Sequence, residues 1–415
     1  MSAPEPRFTH FASIDWAKHK HHAVILNAAG QIVTAFDFEH AAAGWKQWRE
    51  HAARSAPLAV AIETSQGPVI DQLLQTPDCT IYPLNPKAAQ RYRERKAPSG
   101  TKSDHLDAWS FADALRLDWA HWRPLARQDP LTEQLRLLCR DEVTLIEERT
   151  ALVNQLQAAL HEYYPTALEA FEDWTLEAAW AFVEAFPTPQ ALVGTGKRRW
   201  EKFLHTHKLA RPETYQTRLE LFAKATEFCA SNALTQAKSR LAVTRAKQLR
   251  VLQTQLDDYR QQIEKLFAQH PDHDLFGSLP GAGPKLAPRL LAELGDNRQQ
   301  FESAQALQGY AGTAPVSYQS GPVHKVRLRG PCDKVLRATV YLWADCSRHS
   351  CPWAQTYYQT LRQRGKTHAC ALRCLGQRWL KILWKMWQTG TCYDAELHQK
   401  NQLRHGSWVL KLQNP

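Results

Sequence analysis

The sequence predicts an α/β N-terminal domain on a mixed sheet, then central coiled-coil helices, then a mainly α C-terminal domain. Three observations predict it. Residues 8–40 hold three stretches of alternating apolar and polar residues, rich in β-branched and aromatic side chains. Leucines recur every three, four or seven residues through 131–160 and again through 249–266, the spacing of helices packed along a seam. Beyond about residue 273, strand signals are sparse. The boundaries expected are 1–125 for the α/β domain, 126–272 for the helical region with an insertion, 273–392 for the C-terminal domain and 393–415 for a loosely extending polar tail.

Within the first domain, FTHFASIDWA, HHAVILNAAG and QIVTAFDFEH read as strands, with Ala28-Ala29-Gly30 turning between the second and third. A helix follows, with Trp45 and Trp48 three apart on one face. PLAVAIETS is apolar enough for a buried strand and too short for a helix, VIDQLLQ is helical, CTIYPLN is a strand and AAQRYRER is helical. APSGTKS is a loop by its Pro, Gly and Ser. It leads to the amphipathic helix DHLDAWSFADALRL, with Ser103 as its N-cap. That order suits a mixed sheet. His19-Lys20-His21-His22 falls at a hairpin turn and reads as exposed basic residues.

The two leucine-striped segments fit either an antiparallel hairpin within one chain or a dimer interface. Between them, Pro187-Thr-Pro189 and several Trp read as a helical insertion. In the C-terminal region Trp379, Trp384 and Trp387 lie among Arg373, Arg378, Lys381 and Lys385, and read as core.

Net charge is +11 over 415 residues with 44% hydrophobic composition, which excludes general disorder and favours a polyanionic partner. MSAPEPRFTH lacks the apolar core of a signal peptide, and no stretch reaches the about 18 uninterrupted apolar residues of a membrane helix. A cytoplasmic location is expected. Nine cysteines, an odd count without a secretory signal, are expected to stay reduced. His368, Cys370 and Cys374 fit no common zinc spacing.

Four acids stand out by placement. Asp15 lies on the first strand in Ser-Ile-Asp-Trp, and Glu63 closes Ala-Val-Ala-Ile-Glu. Asp104 and Asp107 are three apart, hence on one face of their helix. An acid among Ile and Ala on a central strand is costly unless paired. Crowded carboxylates resist ionisation, and hard divalent cations relieve the conflict. Mg²⁺ is therefore expected, as two ions, with Mn²⁺ as the alternative; phosphodiester cleavage or transfer is the matching chemistry.

The string Lys102-Ser-Asp104-His-Leu-Asp107-Ala108, after an Ile-Asp strand and an Ile-Glu strand, resembles the DEDD transposases of the insertion sequence one-ten family. The resemblance implies an RNase H-like, RuvC-like N-terminal domain with Asp15, Glu63, Asp104 and Asp107 as its metal-binding tetrad. It further implies recombination of donor and target DNA guided by a structured RNA, through a homo-oligomer, a dimer or tetramer.

The C-terminal half carries motifs of its own. Leu279-Pro-Gly-Ala-Gly-Pro284 before KLAPRLLAELG has the form of a helix-hairpin-helix element, whose backbone N–H groups hold a DNA phosphate. Gly281, Gly283 and Lys285 are its candidate contacts. Gly309-Tyr-Ala-Gly312-Thr-Ala-Pro315 and Val-Ser-Tyr-Gln-Ser320-Gly321 look like the same family's C-terminal domain. There the serine of the Ser-Gly pair attacks DNA and becomes attached to a 5′ end. The resemblance places that role on Ser320, with Ser317 only three residues away. Pro322-Val323 and Arg329-Gly-Pro-Cys332 depart from the common family pattern. Lys325, Arg327 and Arg329 alternate beyond the serine and, on an extended segment, would face one way toward phosphates.

Overall fold

The structure, a computed structural model, describes residues 7–65, 67–96, 103–125, 128–226 and 230–404. The loop read at 97–102 and the last residues of the tail, 405–415, lie outside the described residues. The chain divides into two compact units, Met1–Arg127 and Gln128–Pro415.

In the first unit β1 (His10–Asp15), β2 (Lys20–Asn27) and β3 (Ile32–Glu39) form an antiparallel meander. After α1 (Ala42–Arg54), β4 (Leu58–Ile62) crosses back to lie parallel to β1. Then α2 (Pro68–Leu74) leads to β5 (Cys79–Pro83), parallel to β4. The sheet order β3-β2-β1-β4-β5 is the mixed five-stranded sheet of an RNase H-like domain. Two helices close the unit, α3 (Pro86–Lys96) and α4 (Asp104–Asp118).

Strand alternation divides the core. Ala12, Ile14, Ala23, Ile25, Val60 and Ile62 face one way and meet Trp45 and Trp48 of α1. Phe11, Val24, Leu26, Ala59 and Ala61 face the other way and meet α4 through Ala108, Phe111, Ala112 and Leu115. The small alanines of α4 let the helix lie close to the sheet. Each fully buried aliphatic side chain here contributes about 1.5–3 kcal/mol.

The basic run at the start of β2 differs from its reading as exposed charge. His21 is buried among Phe38, Trp45 and His40. Its Nδ1 accepts the Ala17 N–H at 3.2 Å, so the ring proton sits on Nε2 and is donated to His40 Nδ1 at 2.9 Å. Alternation explains the burial, because His21 continues the inward row of Ala23 and Ile25.

The second unit begins with α5 (Pro130–Tyr163), followed by α6 (Pro165–Leu168), α7 (Glu177–Ala185), α8 (Pro189–Thr195), α9 (Lys197–Thr206) and α10 (Pro212–Lys224). The next helix, α11 (Asn232–Gln269), returns along α5. The pairs Thr132–His270, Arg149–Gln253 and Glu162–Lys238 show the two running antiparallel within one chain. Their leucine stripes are thereby used by each other. At one end the pair shares a core with α7–α10, through Leu156, Leu160, Ala242 and Leu249 against Trp180, Phe182 and Trp200.

At the other end Leu135, Cys139, Ile263 and Phe267 belong to the C-terminal core. That core gathers α12 (His273–Gly277), α13 (Gly283–Leu294), α14 (Ala304–Tyr310), α15 (Lys334–Ser350), α16 (Pro352–Gln363) and α17 (His368–Thr389). The base of the helical pair and the C-terminal region are thus one body, although the sequence reads them as successive domains. Between α14 and α15 stands one hairpin, β6 (Val316–Ser320) and β7 (Val323–Arg327).

Trp379 and Trp387 are buried, and Trp384 donates to the Phe301 carbonyl at 2.9 Å. The eight described cysteines are free thiols, with Cys370 and Cys374 half-buried. The tail departs from its reading as loose chain. It forms α18 (Ala395–Arg404), anchored by Tyr393, whose N–H bonds Ser278 Oγ at 2.8 Å and whose hydroxyl accepts the Trp353 indole at 3.0 Å.

Burial lowers the His21 pKa from 6.5 to about 4, with His40 adding to the effect. A histidine depressed in the folded state contributes stability that is complete above its unfolded pKa and is lost as pH falls toward the folded one. Thermal melts of the full chain should show this loss between pH 6.5 and 4. His21→Gln should flatten that part of the profile while lowering the melting temperature at pH 7.

Candidate functional site

The ends of two parallel strands position the first two acids. Ile14 pairs with Ile62, so Asp15 and Glu63 are the next residues of neighbouring strands that run the same way. Alternation places Asp15 on the α4 side of the sheet, the side of Phe11. Across the antiparallel pair Asp15 faces His22, and His22 faces Asp37. The row Asp37, His22, Asp15 thus crosses three strands. His22 Nδ1 lies 2.6 Å from Asp37 Oδ1, and Lys20 Nζ 2.6 Å from Oδ2. These bonds, Lys20 first, hold the Asp37 carboxyl below its ordinary range.

The start of α4 brings the other two acids. Ser103 caps the helix by accepting the Leu106 N–H at 3.2 Å, as the sequence predicts. Asp104 opens the first turn and is exposed, close enough to add to the field that raises the Lys20 pKa, behind the larger contribution of Asp37. His105 sets its ring 5.5 Å from that of His22. Because His22 pairs with Asp15, this contact ties the first turn of α4 to the end of β1.

Asp107 is the unusual member. It is 4% exposed, and its Oδ2 accepts Arg93 Nη1 of α3 at 2.7 Å. Its Oδ1 is buried and has no hydrogen-bond partner. Two turns on, Asp113 is equally buried yet fully satisfied, with Lys96 at 2.6 Å on one oxygen and Arg116 at 2.7 Å on the other. Burial pushes the Asp113 pKa up, but Lys96 and Arg116 overcome it and hold it low.

The structure places Asp15 and Glu63 at matching ends of neighbouring strands, and Asp104 and Asp107 in the first turn of the helix that packs on β1. It does not close them up: among the described residues no three His, Cys, Asp or Glu side chains stand near enough to hold an ion. Arg93 occupies one oxygen of Asp107 instead. Arg93, His22 and Asp37 join the site without having been expected there. Nothing in AAQRYRER marks Arg93, whereas the alternation of β2 and β3 could have placed His22 and Asp37 in the acidic row.

The second unit carries the predicted serine. Ser320 ends β6, exposed, before the turn at Gly321, whose φ of +55° favours glycine. Register pairs Ser320 with Val323, Tyr318 with Lys325 and Val316 with Arg327. Ser320, Lys325 and Arg327 therefore share one face, and the Arg327 guanidinium lies 5.7 Å from the Tyr318 ring centroid. Ser317, paired with Val326, is on the opposite face. Arg329 departs from the expected row. It lies beyond the end of β7, half-buried, donating Nε–H to the Ala314 carbonyl at 3.3 Å and accepting Arg337 on its own carbonyl at 3.2 Å.

The helix-hairpin-helix form is present as α12, a tight turn and α13. Both of its glycines have positive φ, +75° at Gly281 and +56° at Gly283, but they differ in what surrounds them. A Cβ on Gly281 would lie 2.6 Å from the Ser347 backbone N, so this glycine admits α15. Gly283 opens α13 at φ +56° with open space where a Cβ would be, and Lys285 beside it is exposed. Only Gly283 and Lys285 offer an accessible helix start.

A five-stranded mixed sheet with acids at its strand ends and an acidic helix start above them is the framework of RNase H-like enzymes that act on nucleic-acid phosphodiesters. That is the class the fold defines. Residues 12–165 match the model of the DEDD transposase domain of IS110 elements, described as a transposase. Residues 273–359 match that of the transposase IS116/IS110/IS902 family. A mini-circle putative transposase for IS117 from Streptomyces coelicolor is 32% identical over 404 residues, 94% of this chain and 97% of that protein. The uncharacterized 43.6 kDa protein of insertion element IS110 from the same species is 27% identical over 93% of this chain and 96% of its own length. A pilin gene-inverting protein of Moraxella bovis is 31% identical over 128 residues, 30% of this chain and 39% of its own. The chain belongs to the IS110 family of transposases. Membership implies DNA-processing activity, a DNA substrate and the use of divalent metal.

The two glycines should separate in experiment. Gly281→Ala forces a Cβ into backbone and should cost about 2–3 kcal/mol, read as a lower denaturation midpoint. Gly283→Ala should cost only about 1 kcal/mol of backbone strain. Gly283→Ala should weaken duplex binding in an anisotropy titration, an effect absent from the folded fraction of Gly281→Ala.

Proposed function

We propose that the chain recombines DNA by metal-dependent strand cleavage and transfer, with Asp15, Glu63, Asp104 and Asp107 as ion ligands and Ser320 as nucleophile. The orphaned Oδ1 of Asp107 carries this reading. A buried carboxylate oxygen without a donor costs about 1–3 kcal/mol or more, and a bound cation removes that cost. The donor set is all oxygen, which suits Mg²⁺ or Mn²⁺. Divalent ions bound by these residues would supply charge stabilisation at a phosphodiester and activation of an attacking oxygen.

The protein residues do the rest. Asp15 and Glu63 are fixed by the parallel strand pair, and Asp104 and Asp107 by one helical turn. Lys325 and Arg327, on the face of Ser320, seat a backbone phosphate beside the hydroxyl. Ser320 Oγ bonds to phosphorus as the P–O3′ bond breaks; the serine loses its proton and the departing 3′ oxygen gains one. The 5′ end is then held as a serine ester, which preserves the bond energy needed for rejoining. A relative named for inverting a pilin gene supports rejoining over simple hydrolysis. Gly283 and Lys285 hold a further phosphate at the start of α13. As the family resemblance suggests, a structured RNA selects the donor and target sites, and copies of the chain assemble as a dimer or tetramer.

The test is a denaturing gel for covalent protein–DNA adducts, using element-junction DNA, RNA transcribed from the flanking non-coding region, and Mg²⁺. Wild type should form an adduct that Asp15→Ala, Glu63→Ala and Ser320→Ala each abolish without unfolding. Cleavage that survives Ser320→Ala without an adduct overturns the serine role and leaves a hydrolytic nuclease. Cleavage that survives Asp15→Ala overturns the tetrad.

Arg93 gives a separate check on the metal. Arg93→Met strips Asp107 of its remaining partner, so the variant should melt below wild type in chelator. Added Mn²⁺ should then raise its melting temperature by more than that of wild type. Equal shifts in the two proteins would argue against Asp107 as a ligand.

A further inference from the structure

The chain has 15 tryptophans, of which all but Trp408 are described, and it buries or half-buries every described one except Trp16, which is 43% exposed. Trp16 directly follows Asp15. Among the described tryptophans the one exposed indole therefore stands one residue beyond Asp15, where β1 ends.

The backbone that carries Trp16 is held in place. Residues 16–20 are all exposed, yet their backbone is pinned at two points. The Ala17 N–H is held by the buried His21 ring at 3.2 Å, and the His19 carbonyl accepts the His40 N–H at 2.8 Å. No described aromatic ring or cation packs on Trp16. Lys18 and His19 are exposed beside it, and Lys18 forms no ion pair among the described residues. An exposed indole on a backbone held at both ends, with the unpaired Lys18 ammonium beside it, fits a nucleotide: the base stacks on the ring while its phosphate meets the lysine.

We infer that Trp16 stacks against an unpaired base of the DNA strand whose phosphate is processed beside Asp15, and so positions that strand. Duplex bases are already stacked on both faces, so the partner is a nucleotide freed from its pair, as at a branch point or an opened strand. This rests on the tetrad reading for its location. Trp16 is a positioning residue and touches no reacting atom.

The experiment is an abasic walk. Full-length protein in Ca²⁺ is titrated by anisotropy with branched element-junction DNA and with versions carrying one abasic nucleotide at successive positions. Stacking contributes about 1–3 kcal/mol per base, which converts to roughly 5–150-fold in affinity. Wild type should lose binding of that order at one position. Trp16→Ala should lose a similar factor on intact DNA and nothing further at that position, while Trp16→Phe retains most of the affinity.

An abasic effect that persists in Trp16→Ala, or wild-type affinity in Trp16→Ala, overturns the inference. So does a change of oligomeric state in Trp16→Ala with DNA affinity unchanged, which makes the indole a protein contact. The tetrad reading fails separately, if Asp15→Ala still cleaves.

Discussion

Burying a carboxylate costs more than most side-chain contacts return, and this basic chain buries several of them. In the second unit the two most deeply buried are paired on both oxygens. Glu142 accepts Arg289 on one oxygen and Arg260 on the other, at 2.7 and 3.0 Å. Glu293 takes Arg140 on both oxygens. These bonds join α5, α11 and α13, so satisfying the charges also fixes how the helical pair meets the C-terminal core. Arg140 reaches on to Asp333 at 3.3 Å, and Asp333 caps α15 through Leu336. Removing one partner leaves a buried charge alone, which makes the network a stricter constraint on geometry than a gain in stability. Asp107, as deeply buried as Glu142 and Glu293, differs from them: Arg93 takes one oxygen and the other, buried, has no partner.

Much of this was legible in the sequence, for identifiable reasons. The strand acids stood out because Ile and Ala around Asp15 and Glu63 make ionised side chains conspicuous. Period-two alternation marked the first three strands, and a short apolar run marked the fully buried β4. The charge of His19-Lys20-His21-His22 masks the same alternation in β2, which puts His21 inside with Ala23 and Ile25. Arg93 was not legible at all. Its role exists only because α3 packs beside α4, and no local pattern encodes that contact.

In the helical regions, sequence told which faces were apolar but not what covered them. Leucine spacing is the same for a hairpin and for a dimer, and only the ladder of pairs from Thr132–His270 to Glu162–Lys238 decides it. The two glycines of the Pro-Gly-Ala-Gly turn read alike and differ in surroundings, since one admits a neighbouring helix and the other meets open space. The tail misled through its polarity. α18 buries little of its own surface, and its position comes from Tyr393 and His398 against Trp353.

The two candidate centres are built on opposite physical terms. The acids sit on parallel strands and a capped helix, elements whose relative placement is fixed by a dry core. Ion ligands need that, because a misplacement of about half an ångström already spoils the geometry. Ser320 sits on a two-stranded hairpin with every residue of both strands exposed, and an isolated hairpin is only marginally stable. Its base, however, is clamped: Arg329 to Ala314, Arg337 to Arg329, and the Asp333 N–H to the Tyr310 carbonyl at 2.9 Å. Through Asp333 and Arg140 that clamp continues into the buried ion pairs. The hairpin is therefore free along its length and firm at its root. Such an arrangement suits a nucleophile that must meet a phosphate, hold a strand and carry it, while the acids stay where the sheet puts them.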